Sequence, residues 1–287
     1  MPELPEVEIT ARRLGEALAG ATIESTLAPG INALKTFDPP LHALDGRQIE
    51  GVRRIGKHLV IDVSGDLHVL CHLMSAGRLQ LYDKRASLRD RTSRLLIRVD
   101  GGSGERELRL REFGTKQAAW VKVLTPEALA ADEAVATLGP EAWPDPPEDL
   151  SALLAPHGAR PLQAVLRDQR VIAGIGRSWV DEILWTARLS PFKRANELDA
   201  GEAAVLREAI LERLGGAIAH YEDVVHLPIP DKLPLPLQVH RHNGEPCPRC
   251  GTTIEAVHYE DYILCYCPED QTGGRVLKDR RLSRLLK

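Results

Sequence analysis

Aromatic side chains are scarce in this 287-residue chain, at 4% of the total. So thin a supply offers no stacking platform for single-stranded RNA and argues against that class of binder. Cysteine is scarce too: five residues, four of them between Cys247 and Cys267, are too few and too clustered for a secreted disulfide scaffold and suit a metal site in a reducing compartment. No apolar run approaches the roughly 18 residues that a membrane span needs. The N-terminus carries Glu3, Glu6 and Glu8 where a secretory leader would be basic and then apolar. No membrane partner is expected, and the chain is read as cytoplasmic. Internal repeats and low-complexity segments are missing as well. What is present, 43% apolar and 27% charged residues, is ordinary globular composition in a chain long enough for two domains or one large one.

The net charge of −4 taken alone argues weakly against a nucleic-acid partner, but the charges are segregated. Segments 126–155 and 195–223 each hold seven acidic residues, with no basic residue in the first and two in the second. Segment 84–116 holds ten basic against five acidic residues, 47–58 four against one, and 271–287 six against one. Basic stripes set apart from acidic segments are what a chain needs to present one positive face to phosphate. An uneven surface without function would look the same, so charge alone leaves the two readings level.

Periodicity divides the chain into regions. Val7, Ala11, Leu14 and Leu18 recur at helical spacing before Gly20, which predicts an amphipathic helix over about Pro5 to Ala19. Alternation then takes over: Leu59, Ile61 and Val63, the turn Ser64-Gly65-Asp66, then Val69 and Cys71 read as a hairpin. Further strands are expected around Leu95–Val99, Glu107–Phe113 and Ala118–Val123. Four prolines within Gly139–Pro147 mark a boundary. Apolar faces on Leu162, Val165 and Leu166, on Val180, Ile183 and Leu184, and on Val205, Ile210, Leu211 and Leu214 then predict helices over about Pro161 to His220. Pro228, Pro230, Pro234 and Pro236 force an extended connection into the cysteine-bearing end. The expected architecture is α+β, with domains at 1–125, 149–237 and 238–287 and a linker at 126–148.

Three motifs could carry chemistry. Cys247-Pro-Arg-Cys250-Gly, followed after sixteen residues by Cys267, has the knuckle and spacing of a zinc ribbon. The fourth ligand stays open between Asp270, an uncommon donor in closed structural sites, and the competing donors Cys265 and His258. Gly174-Ile175-Gly176-Arg177 precedes a helix expected to begin near Ser178, so its free amides and positive dipole end would suit a phosphate. A tight turn between packed helices would produce the same glycines. The third motif is the N-terminus, Met1-Pro2-Glu3-Leu4-Pro5-Glu6. Loss of Met1 would expose a secondary amine with a reference pKa of about 7.7–8.0, partly unprotonated at neutral pH. Attack by that amine on a sugar anomeric carbon would give an iminium ion, an electron sink for elimination, with Glu3 and Glu6 beside it to move protons. An acidic helix start complementing the dipole accounts for Glu6 and Glu8 but not for the Pro2-Glu3 beginning.

Together the motifs resemble the formamidopyrimidine-DNA glycosylase and endonuclease VIII family over essentially the whole chain. Residues 2–8, Pro-Glu-Leu-Pro-Glu-Val-Glu, look like its N-terminal signature; Arg54-Ile55-Gly56-Lys57 like the segment bearing its lysine; Asp168–Glu182 like its helix-two-turn-helix motif; and Cys247–Gln271 like its zinc finger. The resemblance implies an N-terminal antiparallel β-sandwich with one helix, a helix-two-turn-helix domain and a C-terminal zinc ribbon, one structural zinc per chain, and a monomer that holds double-stranded DNA with a damaged base or abasic site in a cleft. It implies a bifunctional glycosylase and abasic-site lyase acting in base excision repair by β,δ-elimination. Pro2 would be the nucleophile, Glu3 the general acid at the deoxyribose, Glu6 a second carboxylate supporting the iminium, and Lys57 a phosphate contact that assists the proton transfers. Arg111 and Phe113 match two residues inserted into the base stack when a nucleotide is flipped out, which partly offsets the unstacking cost, and Met74 would be the third if the register shifts by one. Gly176, Arg177 and Tyr262 match backbone-gripping positions.

The departures matter as much. Arg177 stands where the family usually has Asn, and Tyr262 where its finger usually has Arg. In an ungapped register Ser75, not Met74, takes the wedge position. Glu222–Leu237 is short and Pro-rich where the purine-specific branch has a Gly/Ser-rich lid. Arg177, Tyr262 and Asp270 in three motif positions motivate a second reading, a damage-sensing paralogue with little turnover. The missing lid leads to an expectation that abasic sites and oxidised pyrimidines are processed better than 8-oxoguanine.

Overall fold

The computed structural model describes residues 2–87, 89–101, 104–113 and 117–277; Met1, Gly114 and the basic end from Lys278 onward lie outside the described residues. The chain divides into two compact units, Met1–Thr137 with Tyr221–Pro234, and Leu138–His220 with Leu235–Lys287.

The first unit opens with α1 (Leu4–Leu18), close to the helix read from the sequence. Its buried stripe is Leu4, Val7, Ala11, Leu14 and Leu18, the spacing of one helical face. Eight strands follow: β1 (Thr22–Leu27), β2 (Ile49–Ile55), β3 (His58–Val63), β4 (Leu67–His72), β5 (Gly77–Tyr82), β6 (Ser93–Asp100), β7 (Glu105–Glu112) and β8 (Trp120–Leu124). They form two antiparallel sheets, ordered β1-β6-β7-β5 and β2-β3-β4-β8. The hairpin expected at 59–71 is β3–β4, with Gly65 (φ +77°) and Asp66 (φ +58°) turning the chain. Strands β1, β2 and β5 are additions to the sequence reading.

In the second sheet both faces are covered. Leu59, Ile61, Val69, Cys71, Val121 and Val123 are buried on one side. Val60, Leu70 and Leu124 on the other pack with Leu129 and Val135 from α2 (Pro126–Ala131) and α3 (Glu133–Ala136). The first part of segment 126–148, expected as a linker, therefore carries two short helices that seal a sheet face. Truncating a buried leucine such as Leu70 costs about 2–5 kcal/mol.

The second unit contains α4 (Leu150–Leu154), α5 (Leu162–Val165), α6 (Arg177–Thr186), most of α7 (Ala200–Val224), the hairpin β9 (Glu255–His258) and β10 (Ile263–Tyr266), and α8 (Pro268–Thr272). The core stripe of α7 is Leu206, Ile210 and Leu214. Val205, read from the sequence as part of that face, is 51% exposed, because the helix phase is set one residue later by Ala203, Leu206 and Ile210. No helix among the described residues is long and apolar enough to cross a membrane.

Candidate active site and metal centre

Pro2 and Glu3 lead directly into α1, and Glu3 is its N-cap. Glu3 and Glu6 form a reciprocal capping box: the Glu3 amide donates to Glu6 Oε2 at 2.8 Å, and the Glu3 side chain returns to the backbone of Glu6. Both carboxylates are buried, Glu3 at 2% and Glu6 at 5% exposure. Burying two acids at one helix start is tolerable because the amides and dipole there favour negative charge. The other Glu6 oxygen, Oε1, accepts from the Tyr221 hydroxyl at 2.8 Å. Burial pushes the Tyr221 phenol well above its ordinary value, with the nearby Glu6 carboxylate adding to the effect, so it stays a donor.

Lys57 occupies a two-residue hairpin turn with Gly56 (φ +56°), between the paired residues Ile55 and His58. Glycine in the first position of such a loop supplies the left-handed backbone that matches strand twist. Lys57 is 7% exposed. Arg54 ties this turn to α1, donating to Glu8 Oε2 at 3.0 Å and to the Gly56 carbonyl at 2.9 Å, while Arg12 takes Glu8 Oε1 at 2.8 Å. The Lys57 turn and the N-terminus are thus braced through the same helix. Beside Lys57, His58, His72 and Trp120 form one cross-strand row, with the two imidazoles 4.6 Å apart. Burial lowers His58 to about 4, and burial with the neighbouring His58 and Lys57 charges lowers His72 to about 3. Both rings are neutral at pH 7.

The His72 Nδ1 accepts the Met74 amide at 2.9 Å and holds Met74 in a left-handed conformation (φ +50°), uncommon for a residue with a side chain. Met74 is half-buried and Ser75 is exposed. Arg111 donates to the Tyr82 hydroxyl at 2.7 Å and to Thr92 Oγ1 at 3.2 Å, and its guanidinium lies over Phe113 at 4.6 Å. These two residues stack on each other. The Pro-rich segment is pinned to β5: Gln80 donates to the Ile229 carbonyl at 2.6 Å and Arg78 to that of Asp231, also at 2.6 Å.

In the second unit, Gln169 staples the glycine turn, accepting from the Gly174 amide at 2.9 Å and donating to the Ile175 carbonyl at 2.8 Å. Gly174 needs its φ of +104° there. Gly176 caps α6 without a side-chain acceptor, and the helix begins at Arg177. Arg177 donates to the Asp261 carbonyl at 2.8 Å and pairs with its carboxylate. Tyr262, in the β9–β10 turn, stacks on Tyr259 at 4.2 Å and receives the guanidinium of Arg167 at 4.3 Å. Asp181 and Glu182, unread in the sequence, fasten the ribbon to α6: Asp181 accepts from the Cys265 amide, and Glu182 from those of Gln238, Val239 and His240.

Cys247, Cys250, Cys267 and Asp270 converge, their ligand atoms all within 4.8 Å of one another. Cys250 and Cys267 sulfurs are 3.4 Å apart, and Cys247 Sγ lies 3.8 Å from Asp270 Oδ2, near the edge of about 3.8 Å for a tetrahedron with bonds of about 2.3 Å. The two turns that carry them are built locally: the Gly251 amide returns to the Cys247 carbonyl at 2.8 Å, and the Cys267 amide donates to Gln271 Oε1 at 2.8 Å. The donor set and its spacing fit a tetrahedral divalent metal. Of the competing donors, Cys265 is buried and its sulfur accepts the Arg241 amide at 3.3 Å, and His258 is exposed on β9; neither belongs to the converging group.

Residues 1–116 match the formamidopyrimidine-DNA glycosylase N-terminal domain, and residues 138–227 the formamidopyrimidine-DNA glycosylase H2TH domain. A Moorella thermoacetica protein named formamidopyrimidine-DNA glycosylase is 36% identical over 270 residues, 90% of this chain and 94% of that one. A formamidopyrimidine-DNA glycosylase-like protein of Mycobacterium tuberculosis, itself uncharacterised, is 41% identical over 150 residues, 52% of this chain and 94% of that one. Among solved structures, MutM in complex with DNA containing carbocyclic 8-oxo-G superposes with a TM-score of 0.82 at 28% identity, covering 94% of this chain and all of that one. Lactococcus lactis Fpg in complex with DNA containing N7-benzyl-Fapy-dG gives 0.83 at 26% identity and the same coverage.

Proposed function

The chain belongs to the formamidopyrimidine-DNA glycosylase family, and from that premise we propose that it removes damaged bases from double-stranded DNA and cleaves the resulting abasic site through a Schiff base on the Pro2 amine. The observation that carries this reading is the capping box itself, which buries two carboxylates at the start of α1 and sets one of them, Glu6, on the amide of the peptide that follows Pro2.

In the proposed sequence the Pro2 nitrogen bonds to the anomeric carbon as the glycosidic bond breaks and the base leaves with a proton. Glu3 delivers a proton to the deoxyribose as the ring opens, and the nitrogen lone pair forms the iminium. That cation accepts the electrons released when a proton is lost from C2′ beside it, and the 3′ phosphate departs; loss of a second proton, from C4′, expels the 5′ phosphate through the conjugated iminium, and water frees the amine. Glu6 stays anionic and opposes the iminium charge. Lys57 meets the phosphate nearest the lesion. Arg111 and Phe113, already stacked, enter the duplex as a unit. The Gly176 end of α6, Arg177 and Tyr262 grip the backbone, and Cys247, Cys250, Cys267 and Asp270 hold one structural Zn2+ that fixes the ribbon.

Ser75 at the exposed tip and Met74 held back by His72 favour a shortened wedge. The segment after α7 is strapped to β5, which favours a base pocket with little lid. Lesions that are already loosened from the duplex need least enclosure, so abasic sites and oxidised pyrimidines are the substrates this reading favours. Borohydride trapping on an abasic-site duplex tests the core of the proposal: a covalent protein–DNA adduct is expected, and binding without an adduct would leave a damage sensor instead.

A further inference from the structure

We propose that Tyr221 is a positioning residue for the N-terminal nucleophile, acting through Glu6. The proposal rests on the Schiff-base reading above. Nothing in the primary sequence links the two residues, which stand 215 positions apart, yet the Tyr221 hydroxyl donates to one Glu6 oxygen at 2.8 Å while the Glu3 amide donates to the other at 2.8 Å. That amide belongs to the peptide bond joining Pro2 to Glu3. The Glu6 carboxylate is therefore a rigid bracket, filled at both oxygens, and its inner oxygen sets the direction of the bond that carries the pyrrolidine.

Tyr221 is itself immobile. It is fully buried in the last turn of α7, and that turn is clasped to α1 by its neighbours. Arg13 donates to the carbonyls of Glu222 at 2.6 Å and Val225 at 2.7 Å, and Arg12 pairs with Glu222 at 2.8 Å. Two arginines on the helix that starts at the nucleophile thus hold the carbonyl end of α7, where positive charge is favoured. Burial and the Glu6 charge keep the phenol protonated, so it serves as a donor throughout the working pH range. A carboxylate with two fixed donors has no reason to rotate, and a nucleophile set within a few tenths of an ångström gains its rate from orientation.

The charged and titratable groups described as acting on Glu6 are Glu3 beside it on the N-terminal segment, Tyr221 from α7 and Arg78 from β5. Losing the Tyr221 donor leaves Glu6 more readily protonated. In Tyr221→Phe, single-turnover trapping on an abasic duplex should slow by about tenfold or more, its acid limb should move to higher pH, and affinity for a tetrahydrofuran-site duplex should stay within about twofold of wild type. Glu6→Gln should absorb most of the effect, so that adding Tyr221→Phe to it costs little further. Titration of the 13C-methylated N-terminal amine in the DNA-free protein supplies a readout without turnover: its midpoint should differ between wild type and Tyr221→Phe by at least about 0.3 unit. Tyr221→Met, which fills the space without a hydroxyl, serves if the Phe variant is too unstable. Absence of trapping in wild type would sink the Schiff-base reading while the amine titration still judges Tyr221. An unchanged amine titration, or losses that add fully in the double variant, would overturn the positioning role.

Discussion

Arg177 lies with its guanidinium carbon 4.9 Å from the ring centroid of Tyr262 in the β9–β10 turn. A positive charge at the start of α6 is thus stacked on an aromatic ring of that turn. Asp261 partly masks that charge through its ion pair, and Arg177 in turn holds the Asp261 carboxyl below its ordinary value.

A phosphate that takes Arg177 must displace Asp261. Asp261→Asn is expected to tighten duplex binding severalfold at low salt, and Arg177→Ala to weaken it and reduce the slope of log K against log salt by about 0.9. Fluorescence anisotropy across a salt series checks both; no change in slope would place Arg177 outside the phosphate contacts.

Replacing Pro2 with Gly should leave duplex affinity nearly unchanged and greatly slow covalent trapping, because phosphate contacts dominate affinity while the secondary amine acts in bond-making. Undiminished trapping would point to Lys57 or another amine.

Elemental analysis should find one zinc per chain. Asp270→Ala removes a converging ligand and should weaken its retention, whereas Cys265→Ser, whose sulfur accepts from the Arg241 amide, should not. The reverse pattern would show Cys265 completing the site.

His58 and His72 are held neutral, with values lowered to about 4 and about 3 by burial first. The unfolded chain binds protons near 6.5, so between that pH and about 4 it holds more than the fold does, and stability falls as the solution is acidified. The loss for His58 alone is about 2 kcal/mol by pH 5 and about 3 kcal/mol by pH 4. Buried Asp181, raised to about 6 by desolvation, works in the opposite direction, so the contrast is best read between wild type and His58→Gln/His72→Gln. Urea midpoints at pH 7 and pH 5 should differ less in the double variant.

Single-turnover rates on matched duplexes should rank abasic sites, thymine glycol and dihydrouracil ahead of 8-oxoguanine opposite cytosine, since discrimination of a stable flipped purine needs contacts that a lid supplies. Fastest cleavage of 8-oxoguanine would mean that the strapped segment from Leu227 to Leu237 encloses the base after all.

Short-range features were legible in the sequence because their causes are short-range. The phase of α1 follows from Val7, Ala11, Leu14 and Leu18, the β3–β4 hairpin from alternation around Ser64-Gly65-Asp66, and the meeting of Cys247, Cys250 and Cys267 from two local turns, although the choice of Asp270 over Cys265 and His258 came only from the structure. The capping pair Glu3 and Glu6 is likewise three residues apart. What only the tertiary structure decided are contacts that no spacing encodes: the Tyr221 hydroxyl on Glu6, the Arg54 brace between Glu8 and the Lys57 turn, the Asp261 mask on Arg177, and the burial of Asp181 and Glu182. Each places a polar group beside another from a distant segment, and its energy comes from leaving water only when that partner is already there. Periodicity reports which face of an element is apolar; it carries no record of which polar atom waits on the other side.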